Sequence, residues 1–129
     1  SMTLAHLAAH LASVPWWGTT TLTTPSLDFA TLGAPPAPPR TRDELLATFD
    51  ARVAEFERAL AAADDAALGA TWTASRGAHV VFAMPRVAVL RSFVMNHMIH
   101  HRAQLGVYLR LNDVPVPGTY GPSADEGNM

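Results

Sequence analysis

Residues 96–105 read Asn96-His97-Met98-Ile99-His100-His101-Arg102-Ala103-Gln104-Leu105. Three of the six histidines lie within five residues here, and no Gly or Pro interrupts the pattern from Val87 to Leu105. Such a run predicts a long helix, on which His97 and His101 stand one above the other on the same face. That spacing lets one helix offer two corners of a metal site. His100 points about 60° to one side. On the same wheel Leu90, Phe93, Val94, Gln104, Leu105 and Tyr108 fall within about 80° of His97, so both histidines are expected on the buried face. Buried imidazoles facing one another without an ion each need a separate hydrogen-bond partner. The pair is therefore either metal-ligating or structural. Pro85 suits the first turn of this helix, which is expected to continue to about Leu111.

One helix with this spacing supplies only two ligands. Near the start, Leu4, Leu7, Leu11 and Val14 form one apolar stripe at spacings of three and four, the pattern of a second helix. It is expected to begin at the first residue without a cap. His10 borders the stripe and is the leading candidate for a third ligand, with His6, farther round, as its rival. His79 and His100 read as neighbours or surface residues. Pro15 should kink or end the helix, with Trp16-Trp17 able to carry it on. From Gly18 to Arg40 the composition turns to Thr, Ser, Pro and Gly, with Pro35-Pro36-Ala37-Pro38-Pro39 as a stiff connector. A long crossover loop without regular structure is expected there.

Thr41-Arg42-Asp43-Glu44 carries a capping box and starts a helix to about Ala63, with Leu45, Phe49, Val53, Phe56 and Leu60 inward and Arg52, Glu55, Glu57 and Arg58 on a solvated face. Asp64-Asp65 caps a short helix that Gly69 ends. Residues 71–82 read as a small hairpin or irregular extended excursion broken at Arg76-Gly77. Residues 117–129 form a turn-rich tail.

The chain has 129 residues, 49% apolar and 16% charged, which describes one globular domain over residues 1–129. A net charge of −2 without a basic cluster argues against a nucleic-acid partner. No run is long and apolar enough for a membrane partner and no signal-peptide pattern opens the chain, so a cytoplasmic location is expected. With no cysteine, a nucleophile must be water, another side chain or a thiol from outside.

Leu4–Trp17, Asn96–Leu111 and the tail Val114–Glu126 together resemble the DinB family of YfiT-like metal-binding four-helix bundles. The resemblance covers essentially the whole chain and is most specific in the last forty residues. It implies an all-α bundle in which three histidines hold a divalent ion, by motif His10, His97 and His101. Relatives usually have Gly where this chain has Ala103, on a face away from the ligands. They also usually have a helix before the one carrying the early histidine, so this chain is expected to lack the first helix of the four. Met95, Ile99 and Gly106 would then form a strip needing cover, from a lost helix or from the second subunit of a homodimer.

The resemblance implies a metal-dependent enzyme of the thiol S-transferase or hydrolase type, acting on a small electrophile, with a low-molecular-weight thiol such as mycothiol or bacillithiol as one cosubstrate. The alternative is a non-catalytic metal-binding stress-response protein. Three imidazoles favour zinc, and several open positions would admit nickel, iron or manganese. Gln104 and Tyr108 lie one and two turns beyond His101 as candidates to orient a ligand or touch substrate. Tyr120, Asp125 and Glu126 are candidates to fold over the site. No catalytic residue beyond the ligands is assigned.

Overall fold

The computed structural model describes residues 2–34 and 36–126. Ser1, Pro35 of the connector and residues 127–129 of the tail lie outside the described residues. Helices α1 (Leu4–Ser13) and α2 (Pro15–Thr23) abut at Pro15, whose missing N–H is tolerated in a first turn. A short strand β1 (Ser26–Asp28) follows, then the Pro-rich crossover and α3 (Arg42–Ala61). Next come α4 (Asp65–Gly69), the hairpin strands β2 (Thr71–Arg76) and β3 (His79–Pro85), and α5 (Arg86–Val89). The last helix continues from α5 through a π-helical segment, Leu90–Asn96, into α6 (His97–Arg110). Among the described residues no helix is long and apolar enough to cross a membrane.

The expected all-α bundle is corrected by a three-stranded mixed sheet in the order β1-β2-β3. β1 pairs parallel with β2, Leu27 opposite Ala74, and β2 pairs antiparallel with β3. The hairpin turns at Gly77, whose φ of 58° suits a residue without Cβ. Asp28 Oδ1 accepts from Gly77 N and Ala30 N at 2.8 Å each, fastening the end of β1 to that turn. These hydrogen bonds hold the Asp28 carboxyl below its ordinary value, the one from Gly77 being the larger cause.

The expected unstructured crossover is also too long. Its first residues extend α2 to Thr23, and three more form β1. Polar composition misleads here because Thr20 and Thr21 are buried inside a helix. Gly18 lets α2 approach α3 closely, since a Cβ there would meet the Phe56 ring at 2.5 Å. Arg86 secures the far end of α2 by donating to the carbonyls of Thr21, at 2.9 Å, and Thr24, at 3.3 Å.

Two adjoining clusters make the core. Val14, Leu90 and Val94 are packed by Trp17, Phe56 and Met98, while Trp72, Ala74 and Val89 are packed by Trp17, Leu27 and Phe82. Trp17 belongs to both and joins the helical layer to the sheet. Each fully buried valine contributes about 1.5–3 kcal/mol of transfer free energy, and Trp72 is the largest fully buried side chain.

Two start signals act as local chemistry predicts, and a third appears where none was expected. Thr41 Oγ1 accepts from Glu44 N at 3.1 Å, while the Glu44 carboxylate reaches back to Arg40 N at 2.7 Å rather than to the cap residue. Asp64 caps α4 through Ala67 N at 2.7 Å. The first helix does have a cap, because Thr3 Oγ1 accepts from His6 N at 3.2 Å.

Candidate metal centre

The first helix brings His10 to the last helix because its apolar positions Leu7, Ala12 and Val14 are buried. His10 lies beside that buried stripe and is itself half-buried. On α6, His97 and His101 are also half-buried rather than sealed in the core. The three imidazoles meet across the two helices. Ring centroids are 5.1 Å apart for His10 and His97, 4.7 Å for His10 and His101, and 4.4 Å for His97 and His101.

One nitrogen from each ring belongs to a set whose members all lie within 4.8 Å of one another. Tetrahedral zinc with bonds of about 2.0–2.1 Å separates its ligand nitrogens by roughly 3.3 Å, so the set fits a divalent ion with only small side-chain shifts. His10 Nε2 and His97 Nε2 approach to 2.8 Å. Without an ion, one of these must donate and the other accept.

Two features keep the cluster ready to ligate. Burial, reinforced by the neighbouring imidazoles, lowers the pKa of both His10 and His97 below the ordinary 6.5 and so favours their neutral forms. His101 Nδ1 lies 2.7 Å from Gln104 Oε1. An amide oxygen can only accept, so Nδ1 carries the hydrogen and Nε2 is left with its lone pair.

Of the other sequence candidates, His6 is exposed one turn before His10 and is not in the ligand set. His100 is exposed, its ring 4.8 Å from that of His101, and His79 begins β3. Tyr108 is half-buried, and its backbone carbonyl accepts from Asn112 Nδ2 at 2.7 Å. The tail lies along α6. Tyr120 accepts from Arg102 at 3.0 Å and Asp125 pairs with Arg110 at 2.7 Å. Glu126 accepts from Gly118 N and Ser123 N, closing the tail on itself. The Val116 side chain lies near Gly106, so the tail covers one end of the strip expected to need cover, while Met95 and Ile99 stay 47% and 40% exposed.

The helical wheel misplaces Phe93 and Gln104, both of which are exposed. Through the π segment the backbone pairs with a wider turn, and the buried face becomes Val89, Leu90 and Val94. Phe93 is 40% exposed and stacks on Phe82 at 4.6 Å between centroids instead of joining the ligand face.

Sequence reasoning missed a cavity of about 1020 Å³ beside His10. Its walls come from α1, from the N-terminal half of α3 and from the Pro-rich crossover. The last of these carries no local signal of what it faces.

No curated protein and no solved structure matches the chain. A sequence profile of the DinB family matches residues 1–128. The chain belongs to the DinB family.

Proposed function

We propose that this DinB-family chain is a metal-dependent enzyme, of the thiol S-transferase or hydrolase type, acting on a small electrophile. The observation that carries the reading is the meeting of His10, His97 and His101 beside a ligand-sized cavity that has His10 in its wall. Three protein ligands leave a coordination position free, as catalytic sites do and structural four-ligand sites do not. Three imidazoles in tetrahedral coordination favour zinc as the divalent ion, while several open positions would admit nickel, iron or manganese.

The bound ion supplies Lewis acidity toward a water or thiol nucleophile. The chain's own residues do the rest. Gln104 fixes the tautomer and tilt of His101, and partial burial keeps His10 and His97 unprotonated near neutral pH. The chain has no cysteine, so in the transferase reading the thiol comes from outside. A non-catalytic metal-binding protein has no need of a cavity at its ligands, which is why the enzyme is preferred.

We also propose a homodimer. Its support is the exposure of Met95 and Ile99 together with an apolar hollow of about 220 Å³ among Leu11, Phe49, Met98 and Ile99. A light-scattering mass of one chain at micromolar concentration would exclude it.

Metal analysis tests the main reading. Wild-type protein is expected to bind about one equivalent of zinc, and the His97→Ala/His101→Ala variant none under the same conditions. Equal metal content in the two proteins overturns the site. Assaying the loaded wild type with small thiols and electrophiles then separates the enzyme from the inert binder, by consumption of thiol above the uncatalysed rate.

A further inference from the structure

We propose that the cavity beside the histidine cluster receives a small molecule bearing a carboxylate, and that Arg52, with Arg40, recognises it. Two helix faces build this cavity. His6, Ala9, His10 and Ser13 follow one stripe of α1, and Glu44, Ala47, Thr48 and Arg52 follow one stripe of α3. Residues 36–39 of the crossover add an apolar third side. A volume of about 1020 Å³ lies at the top of the range for small-ligand clefts, about 300–1,000 Å³.

The polar groups in the wall divide into those already satisfied and those left over. Ser13 Oγ donates to the His10 carbonyl at 2.7 Å, and Thr48 Oγ1 donates to the Glu44 carbonyl at 2.7 Å. The Glu44 carboxylate is engaged with Arg40 N at 2.7 Å. Among the described residues the guanidinium groups of Arg40 and Arg52 have neither a hydrogen bond nor an ion pair. Arg42, Arg86, Arg102 and Arg110 are engaged with Asp43, backbone carbonyls, Tyr120 and Asp125, and Arg76 lies over the Phe29 ring. Arg58 and Arg91 also have no such partner among the described residues, but of these unpaired arginines only Arg40 and Arg52 line the cavity.

Two guanidinium groups thus share the cavity with a single carboxylate, one oxygen of which accepts from the Arg40 backbone N rather than from either guanidinium. The planar fork of an arginine matches a carboxylate with two parallel hydrogen bonds. Because His10 lines the same cavity from α1, a molecule held by its carboxylate at Arg52 on α3 can present its other end to His10, the member of the histidine cluster that faces this space. The catalytic meaning of that placement rests on the metal-dependent reading above; the preference for a carboxylate does not.

The test titrates zinc-loaded wild-type protein calorimetrically with N-acetylcysteine and with N-acetylcysteine amide, a pair differing in the carboxylate. The acid is expected to bind about tenfold more tightly, and raising the ionic strength should weaken the acid selectively. Arg52→Ala should remove the preference by weakening the acid about tenfold while leaving the amide unchanged, and Arg52→Lys should keep part of it. Equal affinities for the two probes in wild type, binding of neither, or a preference that survives Arg40→Ala/Arg52→Ala overturns the inference. Zinc content measured on the same samples separates the failures. Protein that holds zinc without a preference loses only the cavity assignment, whereas protein that holds no zinc loses the metal reading. Should Arg52→Ala fold poorly by circular dichroism, the wild-type probe pair and its salt dependence still decide.

Discussion

The two halves of the last helix follow one axis of sequence yet carry different burdens. From Arg86 to Asn96 the chain contributes Val89, Leu90 and Val94 to the core, at 0%, 7% and 1% exposure. From His97 to Arg110 it contributes no buried residue, and there two of the three clustered histidines stand. The π-helical turns, Leu90–Asn96, make up most of the first half, and their buried residues Leu90 and Val94 pack against Val14, Trp17, Leu22 and Phe56, while Val89 just before them packs on the sheet. Burial therefore anchors the helix upstream, while the downstream half keeps its imidazoles near enough to solvent for a ligand to reach them. Stability and chemistry are divided along one element, so the two are expected to respond to different substitutions.

The largest effect that could break this division is expected at Trp72→Ala. Trp72 is fully buried against the upstream half, and its Nε1 donates to Thr24 Oγ1 at 3.4 Å. Truncation should cost about 3–5 kcal/mol of unfolding free energy, read as a lowered urea midpoint. Metal stoichiometry of the fraction still folded should be unchanged. A simultaneous loss of metal from folded protein would show that the sheet end and the histidine end are one cooperative site.

A smaller effect of opposite character is expected at Gln104→Ala. Gln104 is exposed, so stability should move by no more than about 0.5 kcal/mol. Losing the acceptor for His101 Nδ1 should nevertheless weaken zinc binding about 10- to 100-fold, measured by competition with a chromophoric chelator. Unchanged affinity would mean that His101 is held by packing alone.

Legibility from sequence follows how locally each feature is determined. The caps of α3 and α4 are visible in the sequence because Thr41 and Asp64 bond to backbone groups three residues away. The pairing of His97 with His101 is equally local, a consequence of helical spacing. His10 was one of two candidates by pattern, and the family resemblance together with burial beside Leu7 and Val14 singles it out. β1 was invisible because three residues become a strand only when β2, more than forty positions later, lies alongside. The π segment has no local sequence signal either: no Gly or Pro marks it, and its buried residues Leu90 and Val94 fit an ordinary helical pattern. The cavity combines both difficulties: Arg52 reads as a solvated charge until the crossover and α1 are seen to line the open cleft before it.

The smallest expected effect is on the pH dependence of the metal-free protein, and it sharpens the contrast between the two halves. His10 and His97 titrate below 6.5 when folded, burial being the larger cause and neighbouring histidines the next. In the unfolded chain they return to about 6.5. As the pH falls through 6.5 the unfolded state takes up protons first, so stability declines from there down to the lowered folded values and levels off once both states are charged. Above 6.5 these two groups contribute no slope. Both are only partly buried, so the slope is expected to be shallow. Denaturant midpoints between pH 7.5 and 5 should show it in wild type, show it unchanged in Trp72→Ala, and show it reduced in His97→Ala, where one of the two groups is gone. Zinc should deepen the same decline, because protons compete for the lone pairs that ligate it. A His97→Ala profile identical to wild type would assign the pH response elsewhere and leave the histidine end electrostatically silent.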